Sequence, residues 1–282
     1  MISIGKNNTL TVTKQLDFGI YLDAGQDGEI LMPKRYVPSQ IHVGDSIDAF
    51  IYRDSEDKLI ATTEIPYAQV GDFAYLEVVA VNQIGAFVDW GLPKNLLVPF
   101  REQKIKLKEG EKAMVYIYLD QETKRIVASA KIEHFFSKEI PPFSPQEKVE
   151  IMMYKISDLG YKVIINQQFD GIIFKNEVFQ KINPGDILTA YIKQVRVDGK
   201  IDVSLYKTGY NQVVDFAPVL LQAIYDHKGF LPLTDKSSVD EINNAFGVSK
   251  KIFKKAVGDL YKKRLIRIEK EGLFTASSRY NT

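Results

Sequence analysis

Between Lys250 and Lys270 stand nine basic residues and two acidic ones. Lys250, Lys251, Lys254, Lys255 and Lys262 recur at spacings that put them on or beside one side of a helix, opposite Ile252, Phe253, Ala256, Val257 and Leu260. A row of ammonium groups of this kind can hold phosphate oxygens, and every nucleotide of a nucleic acid offers one. A merely solvated face has the same composition, and Lys262-Lys263-Arg264 also suits a helix C-terminus. Charge alone therefore leaves nucleic-acid contact and plain solubility both open. Catalytic chemistry has no comparable constellation. His42, His134 and His227 are isolated, and no metal-ligand spacing occurs. There is no phosphate-cradling Gly-x-x-x-x-Gly-Lys run and no Gly-x-Ser-x-Gly elbow. Acids sit in turn-like clusters such as Asp54-Ser55-Glu56-Asp57, where solvation accounts for them. The absence of cysteine excludes disulfides, thiolate metal sites and cysteine nucleophiles. The expectation is a protein that is not an enzyme, with no cofactor and no metal.

The elements that carry the lysines read as a winged helix over residues 211–282. Val213 to Tyr225 places Val214, Ala217, Leu220, Leu221 and Ile224 on one helical face, with Pro218 near its start. Ser238 and Glu241 can form a capping box for a short second helix that ends near Phe246. Gly247 makes a turn, and Ser249 can cap a third helix from Lys250 to Lys263. Leu265–Ile268, Glu269–Gly272 and Leu273–Thr275 then read as strand, turn and strand. Folds of this class place a groove-reading element on the helix after the turn, and they also bind proteins. DNA or a protein is thus an alternative partner for this part of the chain.

Upstream, the period is two, and it repeats. Gly19, Gly85 and Gly160 each open an alternating stretch, and an apolar run begins or is entered 11 residues later. A Gly-acid pair follows: Gly44-Asp45, Gly110-Glu111 and Gly185-Asp186, each glycine 25 residues after the first. Sixteen residues further on stands Ile60, Ile126 or Ile201, and three beyond that Thr63, Ser129 or Ser204. Three blocks of 45 residues therefore align without a gap. In the second copy the strands read as Phe73–Val81, Ala86–Trp90, Leu96–Pro99, Lys112–Leu119 and Ile126–Ala130. Five strands in so few residues bury a core best when the sheet closes, and the oligonucleotide-binding (OB) barrel is the common solution. Three SH3-like barrels or one continuous sheet are the alternatives. The predicted fold class is mainly β with a small α+β C-terminal domain: OB barrels over 1–66, 67–134 and 147–210, a Pro-rich linker over 135–146, then the winged helix. The short connection Ile65–Val70 implies that the first two barrels touch.

Apolar residues make up 45% of the 282, enough for a core in each domain. The 37 basic and 36 acidic residues nearly cancel. From Val213 onward the balance is nevertheless 12 basic to 8 acidic, so positive charge collects at the C-terminal end. MISIGKNNTL has no signal-peptide apolar run, and no apolar segment nears the roughly 20 residues of a membrane span. A cytoplasmic monomer away from membranes is expected.

The repeat resembles the S1-type RNA-binding domain. Asp17-Phe18-Gly19-Ile20-Tyr21-Leu22 and Ile84-Gly85-Ala86-Phe87-Val88 match its opening motif, and Arg125-Ile126-Val127-Ala128-Ser129 and Lys200-Ile201-Asp202-Val203-Ser204 match its close. The order of three such domains and a winged helix resembles the conserved virulence factor B family of bacterial RNA-binding regulators. The resemblance implies that two aromatics beside the glycine, a third-strand residue and a basic residue before the closing isoleucine face single-stranded RNA. Bases would stack on the rings while a cation holds phosphate. In the first repeat these positions are Phe18 and Tyr21, with Leu59 in the basic slot and Lys58 one residue early. In the second they are Ile84, Phe87, Pro99 and Arg125, and in the third Leu159, Lys162, Phe174 and Lys200. No repeat holds the full set. A strand aromatic also serves as core, and a one-residue slip of register reverses its face. The function this implies is binding of single-stranded RNA in the control of gene expression. The alternatives are a protein-interaction scaffold with degenerate nucleic-acid-binding domains and a DNA-binding transcription regulator.

Overall fold

A computed structural model describes residues 2–178, 181–207, 216–246 and 248–276. The chain divides into two compact units, Met1–Phe136 and Ser137–Thr282. In the first unit, β1 (Asn7–Leu16), β2 (Gly19–Asp23), β3 (Glu29–Pro33), β4 (Ser46–Arg53) and β5 (Leu59–Thr62) close in the order β1-β2-β3-β5-β4. The closing pair, β3 on β5, is parallel through Leu31 and Ile60. β6 (Phe73–Val81), β7 (Gly85–Val88), β8 (Leu96–Pro99), β9 (Lys112–Leu119) and β10 (Ile126–Ser129) repeat this order, with no ladder joining β8 to β10. There the gap is bridged by the Ala130 N–H, which donates to the Glu102 carbonyl at 2.9 Å. In the second unit β11 (Lys148–Ile156), β12 (Gly160–Ile165), β13 (Phe169–Phe174), β14 (Ile187–Val195) and β15 (Ile201–Ser204) close again, β13 running parallel to β15. These are three OB-type barrels, closed or nearly so, and the continuous-sheet alternative is excluded.

The repeated residues are backbone devices. Each first strand carries a bulge seven residues before the repeat glycine, after Val12, Val78 and Met153. A bulge bends the strand so that it can pair on both sides of a small barrel. A Cβ on Gly19, Gly85 or Gly160 would lie 2.3, 2.3 or 2.1 Å from the carbonyl oxygen of Met32, Val98 or Ile173 on the next strand. Only glycine permits that approach. The second glycines, Gly44, Gly110 and Gly185, have φ of +96°, +82° and +93° in the turn before the fourth strand. The acid beside each one accepts the N–H three residues back: Asp45 from His42 at 2.8 Å, Glu111 from Lys108 at 3.3 Å and Asp186 from Asn183 at 2.8 Å. The Gly-acid pair thus shapes a turn.

The first two barrels share a core, as their short connection implies. Phe50, Tyr52 and Ile60 of the first pack with Trp90, Val88 and Leu92 of the second. Trp90 meets Phe50 and Tyr52 edge-on at 5.6 and 6.4 Å, and its indole N–H donates to the Lys94 carbonyl at 2.7 Å. Phe135 stacks on Tyr116 and Phe136 on Phe73 at ring distances of 4.2 and 5.2 Å, so the start of the Pro-rich stretch lies against the second barrel.

The C-terminal domain has α1 (Phe216–Asp226), β16 (Phe230–Leu231), α2 (Val239–Phe246), α3 (Lys250–Lys262), β17 (Ile266–Ile268) and β18 (Leu273–Thr275). Phe216, Leu220, Ile224, Ile242, Phe253, Val257 and Leu260 form its core. Pro218 is the third described residue of α1, close to where the sequence places the start of the helix. Ser238 and Glu241 make the reciprocal capping box, at 2.7 and 3.1 Å, and Ser249 caps α3 by accepting the Ile252 N–H. Sequence periodicity missed β16, which is two residues long and adds to β18 beside the expected hairpin. Val214 and Gly247, read as helix face and turn, lie outside the described residues. No helix among the described residues is long and apolar enough to cross a membrane.

Candidate nucleic-acid interface

One patch recurs on all three barrels. The residue before the repeat glycine is apolar and exposed each time: Phe18 at 56%, Ile84 at 58% and Leu159 at 69%. Its carbonyl accepts the N–H of the residue after the third strand, from Lys34, Phe100 and Lys175 at 2.9, 3.3 and 3.3 Å. The end of the third strand is thereby tied beside it. Two residues beyond the glycine, Tyr21, Phe87 and Lys162 are half-buried. The third-strand slot pairs directly with the glycine: Pro33 with Gly19, Pro99 with Gly85 and Phe174 with Gly160. The expected face thus lies at one end of the second and third strands in every barrel, with its decoration changed.

In the first barrel Phe18 and Tyr21 meet edge-on at 6.3 Å, with the Lys14 ammonium 5.9 Å above the Tyr21 ring. Lys14 also pairs with Glu29 at 2.6 Å, and this hydrogen bond, with a second from Thr13, holds the Glu29 carboxyl below the usual range. Lys58 points to Glu56 at 2.7 Å within its own turn, and that carboxylate pushes the Lys58 amine up.

In the second barrel Phe100 stands beside Ile84, 37% exposed, with the Lys106 ammonium 5.7 Å from its ring. Sequence reasoning passed over Phe100 because it follows Pro99, outside the motif. Its apolar type in a polar turn was the available signal. Arg125 reaches the first barrel: Nε and Nη2 both donate to Asp57 Oδ2, at 3.2 and 3.0 Å. This contact holds the Asp57 carboxyl below its ordinary value. Arg53 returns the contact, donating through Nε to the Lys124 carbonyl at 3.3 Å. Lys94 donates to the Asp54 carbonyl, and burial lowers its amine's pKa. The basic residue before the closing isoleucine is therefore part of a clamp between two barrels.

In the third barrel Lys162 pairs with Asp170, which also accepts the Tyr154 hydroxyl at 2.9 Å. Phe174 has the Lys193 ammonium and the Arg196 guanidinium 5.9 and 5.8 Å from its ring centre. Arg196 is anchored on Asp202, which is 2% exposed, with contacts of 3.1 and 2.8 Å, and Gln194 donates to the same carboxylate at 2.6 Å. That carboxylate raises the guanidinium's pKa further. Lys200 is turned to Asp198 at 2.7 Å, which lowers the Asp198 carboxyl. The cations beside the aromatic are thus Lys193 and Arg196, and Arg196 stands six residues before the Asp202 that fixes it. The buried Asp202 has no counterpart in the other closing strands, Ala61 and Val127, and was the readable signal.

On the winged helix, Lys251, Lys254, Lys255 and Lys262 are exposed along α3, opposite the buried Phe253, Ala256, Val257 and Leu260. Lys250 is half-buried, and its ammonium lies 3.4 Å from the Lys236 carbonyl. Among the described residues no group of His, Cys, Asp and Glu is placed to hold a metal ion. The arrangement suits stacking of flat rings and contact with phosphate.

Family models agree with this reading of the first two barrels and the C-terminal domain. The S1 domain family matches residues 4–64 and 70–131, and the CvfB-like winged helix domain matches residues 219–274. Both families are binding domains without catalytic activity. A Bacillus subtilis relative called "Uncharacterized protein YitL" is 30% identical, over 92% of this chain and 89% of the relative. The "Conserved virulence factor B" of Staphylococcus epidermidis is 26% identical over 88% of this chain and 87% of its own length. A Streptococcus pneumoniae crystal structure, described as a multidomain protein with nucleic acid binding domains, aligns over 96% of this chain and 98% of its own, with 25% identity and a TM-score of 0.44.

Proposed function

The chain belongs to the family that joins S1 domains to a CvfB-like winged helix, and from that membership we propose that it binds single-stranded RNA and acts in the control of gene expression, as a cytoplasmic monomer. The observation that carries this reading is the exposed Phe18 beside Tyr21 and the Lys14 ammonium, on a barrel whose core is complete without them. An exposed ring with a cation over the neighbouring ring can take an unpaired base and its phosphate. A base inside a duplex presents no such face. The face residues are Phe18, Tyr21, Phe87, Arg125, Phe174 and Lys200, with Lys58 at the margin. Phe100 and Arg196 join them on the geometry above. Lys250, Lys251, Lys254, Lys255 and Lys262 add phosphate contact. The lack of cysteine suits a reducing compartment.

The test is salt-titrated anisotropy with single-stranded RNA, single-stranded DNA and duplex DNA of one length. RNA should bind most tightly, with a log–log salt slope of about −0.7 for each phosphate contact on a single strand. Equal affinity for the duplex would overturn the reading. A protein-interaction scaffold is the second reading, and one observation favours it: Lys58, Arg125 and Lys200 all point to carboxylates of this chain. A flat salt slope with every probe would decide for the scaffold.

A further inference from the structure

Helix α3 contains a residue that its own fold does not require. Gly258 is the ninth of 13 residues in Lys250–Lys262, and after proline glycine is the least favourable residue for a helix interior. Two circumstances usually keep a glycine in such a place, a positive φ or a neighbour too close for a Cβ. Neither applies. Gly258 is not among the residues with positive φ, and a Cβ built on it meets no described atom within 4 Å.

The surroundings are as distinctive as the gap. The helix-surface neighbours of Gly258, three and four residues away on either side, are Lys254, Lys255, Tyr261 and Lys262. All four are exposed, Tyr261 by 57%, and no carboxylate or other described group pairs with any of the three lysines. The buried face of α3 runs through Phe253, Ala256, Val257 and Leu260, on the far side of the helix. Gly258 is therefore a half-buried spot bare of side chain among three lysines and a tyrosine, with Asp259 at its flank.

We propose that this notch seats the sugar–phosphate backbone of a nucleic acid. A phosphate approaches the helix backbone at Gly258, Lys254, Lys255 and Lys262 reach it from around the notch, and Tyr261 lies against the adjoining nucleotide. Charge complementarity selects the occupant. Three unpaired ammonium groups around an open spot fit a polyanion with projecting charges, and an apolar partner would desolvate them without return. The inference rests on the RNA-binding reading and adds to it the point of closest approach on the winged helix.

The experiment uses the full chain, Gly258→Ala and Gly258→Gln, with a labelled single-stranded oligouridylate 20-mer titrated across salt and thermal unfolding in parallel. Both substitutions are neutral, so any change of salt slope reports a phosphate held away from the lysines. The expected result is an unfolding midpoint equal to or above wild type, and weaker binding, most for Gly258→Gln. The slope should flatten by about 1.4 to 2.1 units, which corresponds to two or three contacts at roughly 0.7 each. Unchanged affinity and slope in Gly258→Gln would overturn the notch and leave the RNA-binding reading standing. A lowered midpoint would also overturn it, by showing that the fold itself needs the glycine. A wild-type chain that binds no RNA would overturn both readings together.

Discussion

The first and second barrels are built on one frame and present different faces. Both have the bulge before the glycine, the glycine against a carbonyl, and the Gly-acid turn. On that frame the first barrel keeps both aromatics, Phe18 and Tyr21, and has Leu59 where a cation is expected. The second has lost its first aromatic to Ile84, places Phe100 and Lys106 beside it, and keeps the cation as Arg125. Arg125 is directed at Asp57 of the first barrel. The difference teaches that positions set by backbone geometry hold across copies, while positions the frame leaves free can be spent on ligand contact or on joining one copy to the next.

The shared frame can be broken most severely at its glycines. Gly19→Val and Gly85→Val each put a branched side chain where a Cβ alone would stand 2.3 Å from a carbonyl oxygen. Each should lower stability by about 1–3 kcal/mol or more, as overpacking of a tight site does. The two losses should be similar, because the obstruction is the same. Urea denaturation of each variant checks this, and a tolerated Gly85→Val would mean that the nearly closed second barrel does not share the constraint of the first.

This comparison also explains what could be read from the sequence. The frame was legible because its residues answer to the backbone. A glycine under a carbonyl, a glycine at positive φ and an acid accepting an N–H recur at fixed spacing, since strand rise and turn length fix where they must stand. The winged helix was legible through its caps, Ser238 with Glu241 and Ser249, for the same reason. The faces were only half legible. Motif position singled out Arg125, Lys58 and Lys200, yet each one's partner, Asp57, Glu56 or Asp198, is settled by side-chain geometry that spacing does not encode. Phe100 and Arg196 lie outside the motif and reach the face only because the end of the third strand and the fourth strand fold beside it.

The contrast between faces is sharpened by paired truncations. Phe18→Ala with Tyr21→Ala should weaken RNA binding by about 1–3 kcal/mol for each base that loses its platform. Phe87→Ala with Phe100→Ala should do less, since among the described residues neither ring has a partner ring beside it. Phe18 is 56% exposed, so its loss should barely move the melting temperature. A stability loss of about 3–5 kcal/mol, the ordinary cost of removing a core aromatic, would reassign these rings to packing.

The smallest effect belongs to the clamp, and it separates its two possible uses. Asp57 and Arg125 are both substantially solvent-accessible, with 38% and 58% of their side chains exposed. A double-mutant cycle of Asp57→Asn and Arg125→Gln should therefore give a coupling of about 0.2–1 kcal/mol, less at high salt. The sign with pH follows from the Asp57 carboxyl. Its pKa in the folded protein is depressed, foremost by the Arg125 hydrogen bond. Its contribution is thus fully present above the unfolded value of about 3.9, and fades as pH falls from there through the lower folded value. The coupling should persist from neutral pH down to about pH 5 and disappear in stronger acid. RNA affinity supplies the second readout. Nε and Nη2 are engaged on one Asp57 oxygen, so Asp57→Asn frees the guanidinium for phosphate. If Arg125 also serves the second barrel's face, that substitution should tighten RNA binding modestly while Arg125→Gln weakens it. If neither changes binding, Arg125 belongs to the joint between the barrels alone, and the second barrel contributes through Phe87, Phe100 and Lys106.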